Sequence, residues 1–221
     1  MPRLTHKTLV YGAAGAFGGS AAWAFVLALS QTMHGGLLTE MALGSFAGTL
    51  PLGAINLKGS ALAPAPAIVV NFKSFSTGCA TPSTCSVEVA DTVLQQGQGM
   101  HGSFGRGDTQ NFMAAFGPDF KTGFVDDAPA SNADIGKTIA AILGFLPESH
   151  GKLVGRPLTE AFPGGAVPQS EKKTVASAPS GNGLKTILNY QTVGETKYFD
   201  SAGFEGRTVG LQSDAAIAES K

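Results

Sequence analysis

Apolar and polar positions along this chain follow two different periods. In "PAIVVNFKSF", Pro66 to Phe75, Ile68, Val69 and Val70 run together without a polar break. An uninterrupted β-branched run of that kind predicts a strand buried on both faces, as in a parallel sheet. "CSVEVADT", from Cys85, alternates and predicts a second short strand. In "SNADIGKTIAAILG" the period changes. Ile135, Ile139, Ile142 and Leu143 fall at i, i+4, i+7 and i+8, the apolar stripe of a helix facing a core. Ser131 or Asn132 is placed to cap that helix, and Gly144 to end it.

"NFMAAFGPDF" reads as a short apolar turn that stops at Gly117-Pro118. Between Phe162 and Gly183 the chain is rich in Pro, Gly and Ser, which predicts a surface linker. Beyond it, "LKTILNYQ", "TKYFDSA" and "RTVGLQ" predict short strands with polar turns, a small β appendage. Near the start, Leu9 to Ser30 is a run of 22 residues without a charge. By length and by its basic flank it fits a signal peptide or a membrane anchor. Gly18, Gly19 and Ser20 interrupt it, and this fits instead a buried strand, a turn and a helix with Trp23, Val26, Leu27 and Ser30 at helical spacing. Both readings stand. The implied organisation is an apolar segment over 1–33, an α/β layered domain over 34–161, the linker over 162–183, the β appendage over 184–212 and a tail over 213–221.

Composition narrows the class of protein. Of 221 residues, 43% are hydrophobic and only 14% charged, with a formal net charge of −1. That supports a packed core, and with no basic block it argues against a nucleic-acid partner. Thirty glycines and twelve prolines call for many turns and ordered loops. Cys79 and Cys85 are too few for a zinc site and lack the C-x-x-C redox spacing. A small disulfide-closed loop around Pro82 fits best, and it implies an oxidising compartment, periplasmic or secreted.

The candidate chemistry centres on His101. Glycines at 97, 99, 102, 105 and 107 surround it, giving a backbone path that ordinary residues resist. Imidazole is the commonest metal-binding side chain. Asp108 and Asp119 lie nearby, but aspartates in glycine loops usually make turns. Arg106 could bind an anion or meet solvent. His6 lies in the basic leader, and His34 and His150 sit at turn signals.

The run "QGMHGSFGRGDTQNFMAAFGPDFKTGFVDDAPASNADIGKTIAAILG" resembles the C-terminal part of the alkaline phosphatase superfamily, in its nucleotide pyrophosphatase/phosphodiesterase-like branch. His101, Gly102, Met113, Gly117, Pro118 and Phe120 match in order, and "GKLVGRPLTEA", Gly151 to Ala161, resembles the closing segment of the same domain. The likeness covers roughly residues 36 to 212. It implies a layered α/β domain in which two divalent metals, usually zinc, sit at the ends of a central sheet. A Thr or Ser nucleophile attacks the phosphorus of a small phosphate ester there. His101 would correspond to the last metal histidine. The family also needs an Asp-His-Gly motif and a nucleophile upstream, and no such motif stands in this sequence; at 33–36 Met occupies the place of the aspartate. The expectation is therefore a phosphoric ester hydrolase by descent, with no catalytic residue of its own and weak or absent zinc binding. The alternative is a membrane-anchored or exported module without catalysis.

Overall fold

The computed structural model describes residues 36–39, 46–57, 68–88, 101–149, 151 and 153–211. The N-terminal readings over Leu9–Ser30, and His6, His34 and His150, lie outside the described residues. So does the tail. Among the described residues, seven strands and two α-helices follow in chain order: β1 Gly36–Thr39, β2 Ile68–Asn71, β3 Ser74–Ser76, β4 Ser86–Glu88, α1 Arg106–Thr109, α2 Asn132–Leu143, β5 Glu171–Ala176, β6 Thr186–Val193 and β7 Thr196–Phe204. The protein is a mixed α/β chain with small sheets.

β1 pairs antiparallel with β2, Leu38 opposite Val69, and β3 pairs antiparallel with β4, Phe75 opposite Val87. The third sheet runs in the order β5-β6-β7. Gly194-Glu195 alone joins β6 to β7, with Gly194 at φ +55° as tight hairpins require. The expectation of a strand buried on both faces in a parallel sheet is corrected here. Ile68, Val69 and Val70 are only half-buried, because β2 has a single described partner, and the strand breaks before β3. The stretch read as a linker holds β5, whose exposed Glu171, Lys172 and Lys173 hid it among turn formers. Of "RTVGLQ", the described residues Arg207 to Leu211 form turns rather than a strand, with Arg207 N–H closing back on Phe204 O at 3.0 Å.

The chain divides into two compact units. One comprises 1–110, 174–188 and 200–221, and the other 111–173 and 189–199. Among the described residues of the first unit, the buried apolar ones are Leu50, Leu52, Ile55, Ile187, Leu188, Ala202 and Phe204. In the second they are Ala128, Ala140, Leu158 and Tyr198.

α2 forms where its local signals place it. Ser131 and Asp134 make a capping box, and Gly144 at φ +71° ends the helix in the left-handed conformation. Its buried face is not the predicted one. Ile135, Ile139 and Leu143 are exposed, while Asp134, Thr138 and Ala140 are buried. The reason is polar. Thr138 Oγ1 donates to Asp134 O at 2.8 Å and accepts from Leu158 N–H at 3.0 Å, which turns that side of the helix toward the 153–162 segment. Gly155 approaches so closely that an added Cβ would lie 2.5 Å from Ala133 O.

Candidate functional site

The His101 loop is held from the end of β2. Asn71, 1% exposed, donates through Nδ2 to Ala202 O at 2.6 Å. Its Oδ1 accepts from Phe104 N–H at 2.8 Å, and Phe104 O in turn accepts from Ala202 N–H at 3.0 Å. One amide thus ties β2, β7 and the loop together. Ser103 N–H donates to Asp108 Oδ2 at 2.7 Å, so Asp108 closes a turn as a glycine-loop aspartate should. Arg106 is engaged locally. It donates to Thr109, Gln110 and Asp200 O, and it faces Asp200 Oδ1 at 3.5 Å. Glu88 flanks the same loop. Burial pushes its carboxyl above the ordinary range, the Ser103 hydroxyl opposes that rise, and Asp108 adds to it.

His101 stands two residues before these ties, exposed, in a stretch without helix or strand. Gly102 takes φ +95°, the left-handed turn that lets the backbone leave the pinned segment. Among the described residues, no group of three or more His, Cys, Asp and Glu side chains is placed to hold a metal ion. Asp119 and Asp127 are exposed and belong to the second unit, and Asp126 is used locally, accepting from Ala128 N–H at 3.0 Å. A lone imidazole is a suitable zinc donor but not a zinc site, because such sites use three or four protein ligands. The described donor set therefore does not fit zinc by itself.

The second unit contains a polar cluster that sequence reading missed. Asp134, fully buried, accepts from Ser131 N–H at 2.8 Å, Arg156 N–H at 2.7 Å and the Tyr198 hydroxyl at 3.3 Å. Arg156 pairs with Glu160, Nη1 to Oε2 at 2.8 Å, donates to Pro129 O, and lies 5.8 Å from the Tyr198 ring centroid. Burial pushes the Tyr198 phenol well up, and the Asp134 charge adds to it. Burial works most strongly against ionised Glu160, but the Arg156 hydrogen bonds and charge, a backbone hydrogen bond and Asp126 together hold the carboxyl below its ordinary value. Asp126 is raised, by burial first and by the Glu160 charge as well. Three donors converge on Asp134, and the Glu160 carboxylate is gripped by both guanidinium NH2 groups. This cluster ties Pro129, Ser131, Arg156 and Tyr198 to one another through Asp134 and Arg156, and presents no free nucleophile. The Arg-x-x-x-Glu spacing was its one sequence signal.

Cys79 and Cys85 form the disulfide expected from their spacing. Among the described residues no helix is long and apolar enough to cross a membrane. What the fold defines is a mixed α/β protein with small antiparallel sheets and an exposed loop histidine. No protein-family model, curated protein or solved structure matches the chain.

Proposed function

We propose that this chain carries the C-terminal segment of a metal-dependent phosphoric ester hydrolase of the alkaline phosphatase superfamily, and is not catalytic by itself. In this reading it is the closing part of a layered α/β domain. His101 supplies one metal ligand, and the family's other ligand motif and its nucleophile have no counterpart in this sequence. The carrying observation is the anchored loop. An exposed imidazole is presented two residues from a backbone fixed by Asn71 and Asp108. Metal ligands need that arrangement, in which the side chain is open and the backbone beneath it is preorganised. The disulfide supports a periplasmic or secreted location. The observation that favours a non-catalytic module is the exposed apolar face of α2.

Two measurements test the proposal. The chain should show no zinc- or manganese-dependent hydrolysis of a chromogenic phosphodiester, since removing a nucleophile leaves at best an electrostatic remainder. Zinc should still perturb the His101 ring resonances weakly, in the millimolar range. Metal-dependent turnover lost in His101→Ala would overturn the claim of incompleteness. Zinc that leaves His101 untouched would overturn the ligand assignment.

A further inference from the structure

We infer that residues 112–116, Phe-Met-Ala-Ala-Phe, form a docking strand for a second copy of this chain. Two copies pair antiparallel across a two-fold axis at Ala114, as a weak, reversible homodimer. This inference does not depend on the metal reading.

The segment is unpartnered in both backbone and side chains. Residues 111–116 run without helix, turn or bend, and every residue from Asn111 to Asp119 is exposed. Phe112 is 89% exposed and Phe116 98%. The Phe112 N–H donates to Asn111 Oδ1 at 3.3 Å, while the N–H groups of Met113, Ala114, Ala115 and Phe116 make no hydrogen bond within the protein. A bare run of backbone donors and acceptors beside exposed apolar side chains is a template for another strand.

The order of the residues selects the occupant. Along a strand, Phe112, Ala114 and Phe116 share one face. That triplet reads the same from either end. An antiparallel copy centred on Ala114 therefore sets Phe112 opposite Phe116 and Ala114 opposite Ala114. A two-fold interface needs this self-complementarity, and facing aromatic pairs favour it. Because Asn111 already holds the Phe112 N–H, the ladder bonds fall to Met113 and Ala115, each bonding the other across the axis. The Phe pairs then take the non-hydrogen-bonded positions, where facing side chains lie closest. Pro118 has no N–H, so the ladder ends before it.

A lipid surface fits less well. Interfacial segments rely on Lys and Arg, and the charges nearest in sequence are Asp108 and Asp119. The unpaired N–H groups would also enter hydrocarbon without partners. The two phenylalanines of each copy offer roughly 400 Å². With Met113 and the backbone, two copies bury about 1,000 Å², the lower end for a specific interface. A dissociation constant on the order of 10 µM is expected from so small a contact.

The test is sedimentation of the full chain from about 1 to about 500 µM, spanning that constant. Monomer should give way to dimer. Ala115→Pro keeps the apolar surface but removes a ladder N–H from each copy, and should weaken the dimer about tenfold. Phe116→Ser should weaken it at least about tenfold as well. In Ala114→Cys the new thiols face each other across the axis, and diamide should join two copies quickly. Asn111→Cys lies away from the axis and should cross-link far more slowly. Cys79 and Cys85 are already joined, so the added thiol reports alone. A chain that stays monomeric would overturn the inference, and so would a dimer indifferent to Ala115→Pro or equal cross-linking at both positions. Aggregates in place of a dimer would overturn the two-fold pairing. Uptake by phosphatidylcholine vesicles that survives Ala115→Pro and is lost in Phe116→Ser would replace the second copy with a lipid surface.

Discussion

The loop around Asn71 and the cluster around Asp134 solve the same problem with opposite results. Each is a single buried polar side chain that gathers backbone from distant parts of its unit. Asn71 is neutral, its bonds are ordinary amide bonds, and the chain it fixes leads out to an exposed histidine. Asp134 is acidic, three donors converge on it, and the segment it fixes closes on a pair between half-buried Arg156 and buried Glu160. Bonds to charged groups are the stronger and the more costly to break. A region closed on itself serves stability. A region that ends in an open imidazole has reactive capacity to spare. On this contrast, the chemistry proposed above would sit with the weaker hub.

Three substitutions can break or sharpen the contrast. The largest effect is expected from Arg156→Met, which leaves Glu160 buried without its cation. Urea unfolding should show a loss of roughly 3–5 kcal/mol. A loss below about 1 kcal/mol would mean that the pair behaves as a surface one, and the comparison would collapse. The acid dependence follows from the same pair. Folded Glu160 titrates below the unfolded carboxylate, so its contribution is full above the ordinary carboxylate range and is lost as pH falls through the folded value. In Arg156→Met that acid-side loss should vanish.

Next is Asn71→Ala, which removes the side-chain bonds to Phe104 N–H and Ala202 O. We expect roughly 2 kcal/mol from the loss of two buried hydrogen bonds, with faster exchange at Phe104. An unchanged Phe104 amide would show that the loop is held by something other than Asn71. The smallest effect is expected on the apolar face of α2. Ile139→Gln should change stability by less than about 0.5 kcal/mol, because the side chain is 50% exposed. A cost above about 2 kcal/mol would mean that this face is covered in solution.

What could be read in advance follows the range of each interaction. The ends of α2 were legible because Ser131 and Gly144 act on their own helix. The disulfide was legible because its cysteines are close in sequence. The helix stripe was legible as a stripe, but periodicity says only which side chains share a face. Which face is buried was decided by Thr138 and Asp134 meeting a segment some twenty residues on. β5 was hidden because an exposed charged strand has the composition of a linker. His101 could be placed in a glycine-shaped loop. Its anchor, Asn71, could not, since that role depends on Ala202, 131 residues away. The co-ligands expected from the resemblance find no counterpart among the described residues.

That span of 131 residues also imposes a schedule on the newborn chain. The first unit is assembled from pieces of the chain separated by the whole of 111–173. When β2 leaves the ribosome, its asparagine has neither Phe104 nor Ala202 to bond. Translation at about 5–20 residues per second delays the second partner by roughly 7 to 26 seconds. Through that interval the amide stays in water and the unit cannot close, whereas the Arg156–Glu160 pair, four residues apart, can form almost as soon as it is made. In vivo, the loop that carries His101 is therefore among the last parts of the molecule to set.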